Sequence, residues 1–292
     1  SAEMSPSNSN NVMPSRSGFI GNETDSEPAK TQLYSTKLSN IHQAVPGSTH
    51  AEGQRFLTDR KGDKAAAVNK LSNYLEWRKQ YCDDGLAAHL DSWSYATHLA
   101  IRASTNGNGG AGQDVDDTLK LPCPVYVQEH TQISKDDKGD NIITKKNYIQ
   151  FFPARIDTGL ADTSTYALAL ALYIDHELDR NSTERVTLLI DVRKGHGWAN
   201  INAFQLVHFI QSTSRLLCDL FPLRLDSCLI FPVPKLANVI WKAVQPFVGT
   251  DTRKKVYLVT GPAGKNDKVP KKLSDYLEEG LITELEERRK SI

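Results

Sequence analysis

The chain has 292 residues, and its 35 Lys and Arg balance 35 Asp and Glu to give a formal net charge of zero. That length accommodates one large domain or two small ones around a sizeable core, and the balance excludes steering of the whole molecule to nucleic acid or anionic membrane by its average field. The four cysteines form no CxxC pair and no zinc spacing, so they read as free thiols suited to a reducing compartment. No apolar run approaches the roughly 18 residues of a membrane span, and no basic segment followed by an apolar one opens the chain. A cytoplasmic protein is expected.

In chain order, residues 1–30 are rich in Ser, Asn, Pro and acidic residues and bury too little to offset ordering, so they read as a disordered lead. Helical spacing follows at 31–44 and 63–81, the second capped by Asp63 and carrying Val68, Leu71 and Leu75, with Tyr74 or Trp77, on its buried stripe. Arg60 and Lys61 stand between them, just before Gly62. A helical or mixed segment around Trp93 completes an N-terminal helical module over 31–100, and residues 101–292 form the second unit. The glycine-rich stretch 106–113 lacks the preceding strand and following helix of a phosphate cradle, and GPAGK at 261–265 lacks its spacing, so both read as loops.

Segments 125–129 and 148–156 alternate like strands and are joined by a charged turn. A helix over 163–178 is capped by Asp162 or Thr163 and turns Leu168, Leu172 and Ile174 inward. Residues 185–260 then organise the whole chain. Apolar runs at 186–192, 228–233 and 255–259 suit covered parallel strands. The helix between the first two, 202–220, places Phe204, Val207, Phe209, Ile210, Leu216, Leu217 and Leu220 on one stripe. The next, 235–247, carries Leu236, Val239, Ile240, Trp241, Val244 and Phe247 between Pro234 and Pro246. The layout is a right-handed βαβαβ unit. Its second helix is short and apolar over a wider face than sheet packing needs, so it is either a core helix or a lid. Lys265, Lys268, Lys271 and Lys272 form a basic stretch, read as a solvated loop or as a contact for anionic headgroups, before a charged helical tail at 273–292.

Enzyme patterns are missing. The eight histidines include no HExxH, and no GxSxG provides a nucleophile elbow. Consecutive Asp175, His176 and Glu177 point to different faces of one helix. Asp191 and His196 flank a strand end without a nucleophile. No catalytic residue, metal site or cofactor is expected.

Residues 221–259, beginning FPLRLDSCLIFPVPKL, and 55–81, RFLTDRKGDKAAAVNKLSNYLEWRKQY, resemble the signature region and the N-terminal module of the CRAL-TRIO lipid-binding family. The resemblance implies an α/β fold: a helical module, then a mixed, mainly parallel sheet forming the floor of a lipid chamber, covered by helices and a mobile gate helix at 235–247. It implies that Arg60, Lys61, Thr252 and Lys255 meet a lipid phosphate and that Asp191 has a structural hydrogen-bonding role. The chamber and gate residues it implies are Val186, Leu188, Ile190, Phe231, Leu236, Val239, Ile240, Trp241, Val244 and Phe247. Leu223 replaces the family's headgroup Glu, and Val186 and Leu188 replace the hydroxyl residues of its choline-lipid binders.

The expected function is therefore binding and transfer, or presentation, of one bound lipid, phosphatidylinositol first. The implied partners are the phospholipid ligand and a transient membrane surface, with a lipid kinase as a candidate, no nucleic acid, and a monomeric state. A carrier of another lipophile (sterol, isoprenoid or tocopherol-like) and a regulatory scaffold with a vestigial pocket are the alternatives.

Overall fold

A computed structural model describes residues 27–106, 120–135, 141–233, 241–242 and 244–291. The helical module comprises α1 (Glu27–Ala44), α2 (His50–Asp59), α3 (Lys64–Tyr81), the single turn α4 (Asp84–Ala87) and α5 (Ser92–Asn106). Helix α1 starts within the expected lead; the rest of that lead, 1–26, lies outside the described residues. Helix α2 had no counterpart in the sequence reading. It is held by a capping box in which Thr49 accepts from the Glu52 amide and the Glu52 carboxylate accepts from the Thr49 amide at 2.7 Å. Asp63 caps α3 as expected, accepting from Ala66 N at 3.0 Å.

The second unit is built on β1 (Val125–Lys135), β2 (Asn141–Phe151), β3 (Val186–Asp191), β4 (Leu225–Val233) and β5 (Val256–Thr260), which lie side by side in sequence order. Strands β1 and β2 form an antiparallel hairpin, and every other neighbouring pair is parallel. The hairpin is longer than its apolar alternation suggested. At the other end of β2, Pro153 opens a 3-10 turn (Pro153–Arg155) where the strand was expected to continue.

Parallel neighbours in sequential order, joined by right-handed crossovers, put every crossover on one face of the sheet. Helix α6 (Thr163–Glu177) joins β2 to β3, and α7 (Ala203–Leu220) joins β3 to β4. Asp162 caps α6, one of the two residues expected there, and Asn202, not anticipated as a cap, closes a capping box on α7. Tyr166, Ala169, Leu172 and Ile174 are buried together in the main core, while Ala171 packs into the module's core with Phe56, Leu57, Leu71 and Leu220. Helix α6 thus sits between the sheet and the module. Tyr74 and Arg78 of α3 both bond the buried carboxylate of Asp175, which leaves His176 and Glu177 to face elsewhere.

The crossovers leave the opposite face bare, and the C-terminal tail covers it. A 3-10 segment (Lys271–Asp275) and the last helix, designated α9 (Glu279–Arg289) because the short α8 (Thr250–Arg253) precedes β5, contribute Leu273, Leu277, Leu281 and Leu285. These pack on Leu189, Leu229, Phe231 and Val259. The expected charged tail is therefore half of a core. Its anchor is Arg193, fully buried, whose guanidinium donates to both oxygens of Asp191 at 2.6–3.1 Å and to Glu286 of α9 at 3.0 Å. Asp191 has the structural role expected of it. Burial works against the Arg193 charge, but Asp191 and Glu286 outweigh it and hold the guanidinium above its ordinary value.

Arg193→Leu strands a buried Asp191 carboxylate. It is expected to lower unfolding stability by about 3–5 kcal/mol in urea titrations, because one member of a buried pair is left uncompensated. Glu286→Gln, at a half-exposed partner, is expected to cost less.

Candidate lipid chamber and phosphate corner

Strand alternation assigns the floor. Leu188 pairs in register with Cys228 and Ile190 with Ile230, so these four share a face, and Leu258 joins them opposite Ile230. Leu188, Ile190, Ile230 and Leu258 are only half-buried, and Leu188 and Ile190 pack against the same core cluster as Leu206 and Ile210 of α7. Val186 shares the face but is sealed into the core at the start of β3. Phe231 requires a correction. It pairs with Asp191, is fully buried, and packs against the C-terminal tail on the reverse face, so it does not line this floor.

The expected gate runs between β4 and β5, and its crossover belongs on this same face. Leu236, Val239 and Ile240 lie outside the described residues. Trp241 is helical and half-buried, and Val244 is buried. The helix gives way at Gln245–Phe247 to a 3-10 turn containing Pro246, with Phe247 45% exposed. Phe204 also departs from expectation: it stands 74% exposed at the start of α7, edge-on to His208 and off the buried stripe.

The four phosphate candidates fall into two groups, Arg60 and Lys61 at the end of α2 and Thr252 and Lys255 just before β5. Arg60 caps the end of α2 and pairs with Asp59 at 3.2 Å. Lys61 is exposed and has a left-handed backbone (φ 52°), followed by Gly62 at φ 81°. Asp59 also receives Lys70, whose ammonium donates to the Cys218 carbonyl at 2.9 Å and so fixes this turn against the end of α7. A few residues on, the Leu225 carbonyl accepts from Lys255 Nζ, and Thr252 sits half-buried on α8 just before it. Burial lowers the Lys255 pKa, and neighbouring Arg185 adds to the effect.

Two buried arginines, unmarked in the sequence, converge on one backbone carbonyl. Arg55 of α2 and Arg224, which follows the turn at Leu223 (φ 62°), are both buried and both donate to the Ser182 carbonyl. Burial and then the neighbouring Arg55 charge push Arg224 down to about 10. Lys37 of α1 adds a further cation by donating to the Gly62 carbonyl at 3.0 Å. Arg224 was visible in the Phe-Pro-Leu-Arg turn and Arg55 in the RFLTDRK run, but nothing local marks either as buried. Among the described residues no cluster of three or more His, Cys, Asp or Glu could hold a metal. His196 bonds Asn266 at 3.0 Å, while Asp191 belongs to Arg193.

A sequence model of the CRAL/TRIO domain matches residues 135–283, slightly more than half of the chain. The chain belongs to that family. The crystal structure of Sfh5 superposes with a TM-score of 0.52 at 13% identity, covering 88% of this chain and 85% of that one. At that identity the likeness is one of fold. A 98-residue segment is 29% identical to a DNA ligase from Ligilactobacillus salivarius (strain UCC118); it covers 32% of this chain and only 14% of the ligase.

Cys228, in register with Leu188, reports on the floor. Burial pushes its thiol up to about 12, so at pH 8 it is protonated. Iodoacetamide is expected to label it at pH 8 only in denaturant. Any native labelling should rise about tenfold per pH unit as thiolate forms, which mass spectrometry of the alkylated peptide measures.

Proposed function

We propose that this protein encloses one phospholipid, phosphatidylinositol first, between the floor of Leu188, Ile190, Ile230 and Leu258 and the segment 235–247, and moves or presents it at membrane surfaces. The observation that carries this reading is the half-buried apolar row on the crossover face of the sheet. A central parallel strand is normally sealed on both faces. Here the tail packs on Leu189, Leu229 and Phe231 of the reverse face, while Leu188 and Ile190 on the crossover face stay partly open.

The headgroup phosphate would sit at the corner flanked by Arg60 and Lys61 on one side and Thr252 and Lys255 on the other. Charge-assisted bonds from such groups are the strong ones for a phosphodiester, and Arg55 and Arg224 deepen the positive field behind them. Leu223 supplies no carboxylate for inositol hydroxyls, so the phosphate contacts, more than the sugar ring, would set selectivity. Membrane contact is supported at the other end of the strands. There Phe204 and Leu160 are both exposed, and a Gln205 to Thr158 hydrogen bond of 2.8 Å joins their segments.

A second reading, a neutral lipophile, is favoured by one observation: Arg60 and Lys255 already have partners in Asp59 and the Leu225 carbonyl. One pair of variants separates the readings in a vesicle-to-vesicle transfer assay. Leu188→Trp fills the floor and is expected to abolish uptake of any lipid. Lys255→Ala removes one charge-assisted bond of about 1.5–3 kcal/mol and is expected to reduce phosphatidylinositol transfer about 10- to 100-fold while sparing a sterol. Unchanged uptake by Leu188→Trp overturns the chamber, and unchanged phosphatidylinositol transfer by Lys255→Ala overturns the phosphate corner.

A further inference from the structure

The C-terminal tail does not cover the reverse face of the sheet completely. Where the parallel strands begin, a recess of about 390 Å³ remains between the sheet and the residues around Tyr276. That volume falls in the ~300–1,000 Å³ range of small-molecule sites. Strand alternation places it on the face opposite Leu188 and Ile190, so it is separate from the proposed lipid chamber.

Its walls combine three kinds of group. Tyr257 and Tyr276 are 41% and 49% exposed, and their ring centroids lie 5.4 Å apart at 47°, forming an open aromatic wall. Asp226 contributes a carboxylate and Lys146 an ammonium, both exposed at the recess. On the floor, Thr187 and Ser227 bond each other at 3.2 Å. The hydroxyl of otherwise buried Tyr148 feels Glu278 as well as Asp226.

We propose that this recess binds a zwitterion whose cationic end is an alkylated ammonium, as in a phosphocholine ester. The ammonium would lie against Tyr257 and Tyr276, beside Asp226, and the anionic group would turn toward Lys146. Tyrosine faces attract a cation without demanding hydrogen bonds from it, and a nearby carboxylate adds to the attraction. A simple anion would meet Asp226 and Glu278, and a simple cation would leave Lys146 unanswered; a molecule carrying both charges satisfies both sides. The source could be a lipid headgroup at a bilayer surface or a free soluble ester, since the recess opens to solvent.

The test is calorimetric titration of the full chain with glycerophosphocholine, which has no acyl chain to enter the chamber. Choline and glycerol 3-phosphate serve as half-ligands, and Tyr276→Ala, Asp226→Asn and Lys146→Gln as variants, with circular dichroism to confirm folding. Glycerophosphocholine is expected to bind more tightly than either half, with Tyr276→Ala weakening it roughly tenfold. Co-sedimentation with dioleoylphosphatidylcholine vesicles distinguishes the sources: retention lost in Tyr276→Ala supports a membrane headgroup, and its absence alongside glycerophosphocholine binding supports a soluble ester. Absence of glycerophosphocholine binding, binding indifferent to Tyr276→Ala, or equal binding of glycerol 3-phosphate would overturn the proposal.

Discussion

The structure depends on one topological constraint, which is that four parallel strands laid down in sequence order can be connected right-handedly only over a single face. Helices α6 and α7 therefore crowd one side of the sheet, with the Gln245–Phe247 turn against α7, and the helical module packs behind them through Ala171 and Leu220. The other side would remain wet. The tail closes it with four leucines, and buried Arg193 fixes the tail by joining the end of β3 to α9. The two faces then differ in kind. One is covered by the tail's leucines except for the recess at the start of the strands, and the other keeps a half-open apolar row.

Much of this was legible because helices announce their ends and their faces. Asp63 and Asp162 mark the starts of α3 and α6 chemically, and each accepts an amide bond where a cap was expected; Asn202 does the same at the start of α7, where only the helical period had been marked. The missed helix α2 carries the same kind of signal, Thr49 followed three residues later by Glu52, but its interior has too few large apolar residues to show a period. Strand faces were harder. A strand covered on both sides reads as a continuous apolar run, so nothing in CLIFPV distinguishes Phe231 from its neighbour Ile230. Only the register with Asp191 and Ile190 separates them.

Charged residues were the other blind spot. Arg193 follows a strand and reads as a loop residue; its burial is created by Glu286, which lies 93 positions away. Arg55 and Arg224 are likewise buried by elements distant in sequence, and both converge on the Ser182 carbonyl. Phe204 errs in the opposite sense. It fits the apolar period of α7, but it occupies the first turn, beyond the reach of the core, and so projects into solvent.

In the proposed carrier, energetics would make the contacts at Arg60 and Lys255 matter more than the chamber walls. Each methylene moved from water to an apolar cavity contributes about 0.8 kcal/mol, but a bilayer offers the acyl chains the same stabilisation. Exchange between the two is therefore nearly balanced for the hydrocarbon, and the headgroup decides which lipid leaves. Arg60 and Lys255 already hold Asp59 and the Leu225 carbonyl, so a phosphate must compete with those partners and gains only the difference. That difference is small enough to be reversed at the next membrane, which is the condition a carrier must meet, whereas a bare cationic pocket would retain its lipid.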